Sequence, residues 1–267
     1  MAIEDRNAWE QAKACKGAFE RKEEHIIVEV NKELEILVKK LKEIFGYVYG
    51  RIRYKNISEK TLDDEVLNIL KNKEFSLEET LNISFSEPKD EIYRAEAGRT
   101  PYDLLCYGKI NKKEFKIFIN NKFGDLFSNR RNDITTYNNL IRLYLGISKQ
   151  RLTSEIKIDR KLILKRVSNE EIISYGVFVV DKRRGGHNFF LLEELRDEFY
   201  INPRNTMFQI KYSPSLGEPI DYYSFCMKLI DATIDSLGRN LNITKTEIIT
   251  LGQIKEAIMK IRKQWKM

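Results

Sequence analysis

Histidine is nearly missing from this chain: His25 and His187 are its only two among 267 residues. That scarcity argues against a His-rich metal site and against a Ser-His-Asp hydrolase. Cysteine is scarce as well. Cys15, Cys106 and Cys226 are odd in number, far apart and without a CxxC spacing. They read as reduced cytosolic thiols, and neither a disulfide framework nor a zinc site fits them. Five prolines and thirteen glycines lie scattered, so no flexible linker divides the chain. No internal repeat interrupts it either. A run of about 18 apolar residues, enough to span a membrane, is absent. The opening MAIEDRNAWEQAKACKGAFERKEE is polar throughout and carries no apolar signal segment. A cytoplasmic protein with no membrane partner is expected.

What is present is charge and a core. With 42% of residues apolar, the chain can bury a core large enough for one domain. Charged residues make up 33% and the net charge is +7, mild for a nucleic-acid binder but sufficient for local basic surfaces.

The spacing predicts one or two helices over about 7–43, because Ile26, Ile27, Val30, Leu34, Leu37, Val38 and Leu41 share one helical face. Gly46 and the β-prone YVYGRIRY are expected to end that pattern. A helix is predicted over 58–70 with Ser58 as its cap and early acids. A short one is predicted over 76–81 with Ser76 and Glu79 in capping-box spacing. A further helix is expected over 132–145, stopping at Gly146. Beyond Lys157, KLILKRV, SYGVFVVDK, HNFFLL and TMFQIKYS read as strands, with a turn at Arg184-Gly185-Gly186-His187. Helices are predicted over 221–237 and, basic and amphipathic, over 252–265. The expectation is α/β (α+β) architecture: one domain over 1–267 with a central mixed sheet, the strands of 147–215 forming a possible DNA-recognition subdomain.

The stretch TPYDLLCYGKINKKEFKIFINNKFG (100–124) reads as a β-hairpin. If its turn is centred on Asn111-Lys112, residues whose numbers sum to 223 face each other. Asp103 then falls opposite Asn120, at a Cβ separation of about 4.5–5.5 Å. Alternation puts Asn120 and Lys122 on the side of Asp103, and Ile117 and Ile119 on the other. These residue types suit a Mg²⁺ site, which prefers a carboxylate, an amide carbonyl, waters and a substrate phosphate oxygen. A bound metal lowers the pKa of the attacking water, and Lys122 would hold or help deprotonate that water and favour the transition state. Asn in place of an acid at 120 drops one negative charge and weakens metal affinity. The bland reading is a surface hairpin in a Lys- and Asn-rich chain.

The order of elements resembles the PD-(D/E)XK nuclease superfamily, in particular type II restriction endonucleases. Pro101-Tyr102-Asp103 stands for the first part of the motif, with one inserted residue. Asn120-Asn121-Lys122 stands for the second, with Asn for the usual acid. Gly17-Ala18-Phe19-Glu20 looks like the family's N-terminal helical acid, which makes Glu20 an assisting residue. The resemblance covers about 17–145. It implies a restriction-endonuclease-like fold and Mg²⁺-dependent, sequence-specific cleavage of double-stranded DNA to 5′-phosphate and 3′-hydroxyl ends. It also implies a homodimer. In such a nuclease Asn129, Arg130 and Arg131 would lie beside the scissile phosphate or reach base edges. DKRRGGHN would bring Arg183, Arg184, His187 and Asn188 to DNA at a hairpin tip, with Lys211 and Tyr212 on a later strand. The alternatives are a repair or junction-resolving nuclease on the same core, or a non-catalytic DNA-binding protein with a decayed site.

Overall fold

A computed structural model describes residues 30–73, 80–88, 101–147, 158–196, 200–202, 204–238 and 245–266. Helix α1 (Lys32–Tyr49) begins at Asn31, whose side chain accepts from the Leu34 amide, and buries the predicted stripe of Leu34, Leu37, Val38 and Leu41. Helix α2 (Glu59–Lys71) starts at Ser58, whose hydroxyl accepts from the Thr61 amide at 3.2 Å. Such a cap contributes about 1 kcal/mol. Strands β1 (Leu81–Ser86), β2 (Leu104–Ile110) and β3 (Lys113–Phe123) follow. Then come β4 (Asn132–Thr136), α3 (Tyr137–Leu145) and α4 (Arg160–Val167). Strands β5 (Glu171–Val180), β6 (His187–Leu191), β7 (Tyr200–Ile201) and β8 (Met207–Ile210) lead to α5 (Tyr222–Leu237) and α6 (Lys245–Lys266).

The five-stranded sheet runs β1-β2-β3-β5-β6 and is mixed: β3 pairs with β5 in parallel, and the other neighbours are antiparallel. A three-stranded sheet, β4-β8-β7, is antiparallel. The 147–215 stretch therefore gives β5 and β6 to the large sheet and β7 and β8 to the small one. One face of the large sheet packs on α1 and α2 through Leu37, Phe45, Leu62, Val66, Ile117 and Ile119. The other packs on α3, α5 and α6 through Phe118, Tyr144, Tyr175, Phe225 and Ile258. Alternation along β3 sends neighbouring residues into different cores, and that decides where the site can form. The architecture is α+β, a mixed central sheet flanked by helices, as expected of a restriction-endonuclease-like fold.

Three local expectations are corrected. KLILKRV is helix α4, because Asp159 accepts from the Lys161 and Leu162 amides and starts a helix that buries Ile163 and Arg166. The predicted helix over 132–145 is strand β4 followed by helix α3, with Thr136 as the cap and Gly146 in the left-handed region at φ 65° as the stop. Helix α1 runs through Gly46 to Tyr49, since Phe45 and Val48 extend its buried face. The predicted helices before Val30 and over 76–81 lie outside the described residues, apart from Thr80, which is a turn, and Leu81, which opens β1.

Candidate active site

The hairpin turns at Asn111-Lys112, both at positive φ (49° and 68°), which fits a two-residue turn between twisted strands. Pairing runs from Ile110↔Lys113 to Leu104↔Ile119, the expected register. Asp103 stands one residue before β2, and its amide donates to the Ile119 carbonyl at 2.8 Å, one place off the ladder. Its carboxylate Oδ2 accepts from the Asn121 amide at 2.7 Å. Asp103 is thus anchored on the Asn120-Asn121-Lys122 backbone where β2 begins.

Asn120 is buried, at 6% exposure. Its Nδ2 donates to the Ile134 carbonyl at 3.3 Å and to the Tyr175 hydroxyl at 3.0 Å. The Tyr175 hydroxyl gives its own proton to the Pro101 carbonyl at 2.7 Å. Burial pushes the Tyr175 pKa far up, against the Asn120 hydrogen bond and with the nearby Asp103 charge, so it stays a neutral donor. Two committed acceptors therefore dictate which way the amide of Asn120 turns. Its Oδ1 is left buried with no hydrogen-bond donor. A buried carbonyl oxygen without a partner is costly in an apo protein and suits a cation ligand.

Lys122, half-buried, lies two residues on along β3 and makes no ion pair among the described residues. The side chain between, Asn121, points to the opposite face. Its Nδ2 donates to Asp63 Oδ1 of helix α2 at 2.9 Å, and its Oδ1 is also buried without a donor. Asp63 was not among the sequence candidates. Its only signal was the acidic pair Asp63-Asp64 on a predicted helix, and nothing in spacing joins residues 58 positions apart. Glu20 lies outside the described residues.

Among the described residues, no three His, Cys, Asp or Glu side chains cluster in a metal-holding arrangement. The donors that could hold a metal are one carboxylate, Asp103, and one amide oxygen, Asn120 Oδ1. All-oxygen donors with few charges fit a hard cation that keeps several waters and takes a substrate phosphate.

The loops beyond the strand ends gather at the same edge of the sheet. Asp181, buried after β5, accepts from the Arg183, Arg184 and Leu126 amides at 2.8, 3.0 and 3.3 Å. Although burial alone would raise its pKa, these amides hold the carboxyl below its usual range. Gly185 and Gly186 take φ of 76° and 109° to complete the turn, and the Gly186 amide donates to the Tyr49 hydroxyl at 2.6 Å. The Leu126 carbonyl accepts from Ser213 at 2.6 Å, and the Tyr212 ring lies so close to Gly124 that a Cβ there would sit 1.9 Å from it. Loops 124–131, 181–186 and 211–217 thus form one surface.

Of the predicted DNA-contacting residues, Asn129, Arg130, Arg131, Arg183, Arg184 and His187 are exposed. The Arg184 guanidinium lies 5.0 Å over the Phe127 ring, and that of Arg131 lies 4.8 Å over Tyr200. His187 stacks on Tyr49 at 4.6 Å, and burial lowers its pKa. Asn188 is tied to the Tyr212 carbonyl at 3.0 Å. Lys211 is half-buried just past β8.

No protein-family model matches this chain. It is 62% identical over 234 residues to the type II restriction enzyme MjaIV of Methanocaldococcus jannaschii, and the alignment takes in 87% of this chain and 95% of that one. A hairpin whose Asn121 amide anchors the Asp103 carboxylate accords with that likeness: the chain belongs to the type II restriction enzymes.

Proposed function

We propose that this protein is a Mg²⁺-dependent endonuclease of the PD-(D/E)XK kind. It cuts double-stranded DNA at a specific sequence and leaves 5′-phosphate and 3′-hydroxyl ends. The observation that carries the reading is Asn120 Oδ1, turned by Ile134 and Tyr175 into an open, buried acceptor on the strand that also anchors the Asp103 carboxylate. Asp103 and Asn120 would hold Mg²⁺, which when bound neutralises phosphate charge and acidifies a coordinated water. Lys122 supplies a cation on the same strand to position the attacking water and to balance the charge that develops on the phosphate. Asn129, Arg130, Arg131, Arg183, Arg184 and the exposed His187 face the duplex, and the half-buried Asn188 and Lys211 complete that DNA-contacting surface. Glu20 assists. The protein acts in the cytoplasm as a homodimer, whose twofold symmetry suits a palindromic site.

Incubation of unmethylated phage DNA with Mg²⁺ or EDTA, beside the Lys122→Ala protein, tests this reading. Discrete bands that need Mg²⁺ and vanish in the variant support it. DNA left intact by the parent in every metal would instead indicate a DNA-binding protein with a decayed site. Equal cutting by Lys122→Ala would move the active site away from this hairpin.

A further inference from the structure

Phe127 is the most exposed large apolar side chain among the described residues, at 65% exposure. A lone exposed phenyl needs no explanation on most surfaces. This one sits in a loop built to hold it. The loop leaves β3 just past Lys122 and returns to β4, whose Ile134 carbonyl bonds Asn120, so both its feet stand on the candidate site. Leu126, next to Phe127, is clamped through its amide to Asp181 and through its carbonyl to Ser213. The Phe127 amide itself donates to Asp125 Oδ1 at 2.9 Å, and the Ser128 amide bonds the Asp125 carbonyl at 3.3 Å. Its position is therefore set before any partner arrives.

The charge around it names the partner. Arg184 covers the ring, while Arg130 and Arg131 are exposed three and four residues on. The acids close by are engaged: Asp125 caps Phe127, Asp181 takes three amides, and Asp133 accepts from Gln209. An exposed apolar side chain covered by one arginine and followed in its loop by two more has the character of the wedges that proteins insert between base pairs, where cations hold the phosphates and the ring replaces lost stacking.

We propose that Phe127 enters or stacks against a base step beside the scissile phosphate and unstacks it, so that the deformability of that step contributes to sequence choice. The proposal rests on the nuclease reading above. On binding, the Arg184 guanidinium exchanges its place over the phenyl ring for a phosphate.

The test begins with the parent's cut site, mapped on phage DNA in Mg²⁺. Short duplexes carrying that site, with 2-aminopurine substituted in turn at positions around the cut, are then titrated with protein in Ca²⁺. The parent is expected to brighten the probe at one step. Phe127→Ala should lose that signal and bind about 5- to 150-fold more weakly, the range for loss of one stacking aromatic. Phe127→Trp should restore both, and Lys122→Ala should keep the signal while failing to cut. Because Phe127 is exposed, the thermal melt of Phe127→Ala should match the parent's. If the parent cuts yet no probe position brightens, or Phe127→Ala brightens it equally, the wedge is refuted and the nuclease stands. Phage DNA left intact by the parent would overturn both.

Discussion

Asn121 holds Asp103 by its main-chain amide, at 2.7 Å from the carboxylate Oδ2, while its side chain reaches through the sheet's other face to Asp63. One residue, whose side chain is aimed away from the candidate metal site, therefore fixes the first donor of that site. Asp63→Ala would leave the Asn121 Nδ2 as a buried donor without its partner, at a cost of about 1–3 kcal/mol. The expected result is a lower midpoint of urea unfolding and a cleavage rate reduced far less than by Lys122→Ala. A loss of cutting as complete as that of Lys122→Ala would instead make Asp63 a participant in the chemistry.

Asn120→Asp supplies the acid that the motif usually carries, but in surroundings built for an amide. One carboxylate oxygen would face the Ile134 carbonyl and a Tyr175 oxygen whose proton is already given to Pro101. The variant should melt below the parent in EDTA. Mg²⁺ should then raise its Tm by more than it raises the parent's, because the metal neutralises the added charge. Equal Mg²⁺-induced shifts in the two proteins would remove residue 120 from the metal site.

Glu193, buried on the α3 and α5 side, has its pKa pushed up to about 7 by burial, although the Ser174 and Tyr144 hydroxyls donate to it at 2.5 and 2.6 Å. Since the folded-state pKa lies above the ordinary 4.5, its contribution to stability is complete below that value and is lost as pH rises through about 7. His187, whose pKa is lowered by burial, has the opposite slope and costs stability as pH falls. Comparing Glu193→Gln with the parent isolates the glutamate. The neighbouring Glu194, also raised by burial, remains in the variant, so its stability should decline less steeply than the parent's between about pH 4.5 and 7, and above neutrality it should unfold at higher urea than the parent.

Arg130, Arg131, Arg183 and Arg184 are proposed to meet DNA, and salt separates two ways of doing so. An arginine that contacts a phosphate should, on change to Ala, weaken all sequences alike and lower the slope of log K against log salt by about one. An arginine that reads a base edge should instead relax the preference at one position of the site. Filter binding in Ca²⁺ across a salt series, with specific and scrambled duplexes, measures both. An unchanged slope and unchanged preference in every single variant would take this edge out of the interface.

The hairpin was legible because its information is local. Asn111-Lys112 tolerates the positive φ that a tight turn requires, and once the turn is placed the register of β2 on β3 follows residue by residue. The helix cap at Ser58 was legible for the same reason. KLILKRV misled because a short apolar run has no period of its own, and the deciding feature was a cap, Asp159, two residues before it. NDITT joined a helix in the sequence reading because Thr136 caps α3 from the end of a strand. The partners of the site were least legible. Asp63, Ile134 and Tyr175 reach Asn120 and Asn121 from 58, 14 and 55 residues away, and only packing brings them there.

Strand β3 is hydrogen-bonded along both edges and sends alternate residues into two different cores. Deleting or inserting one residue before Asn120 would exchange those faces, setting apolar side chains at the site and an amide and an ammonium group into the opposite core. This strand can therefore change by replacement but not in length. Loops 124–131 and 181–186 end on strands without sharing their pairing, so they can lengthen or shorten while the hairpin stays in frame. If the hairpin cuts and the loops read, as proposed, the two tasks fall to parts of the chain that tolerate different kinds of mutation, and lineages of this enzyme would acquire new target sequences through changes of loop length with the hydrolytic centre left intact.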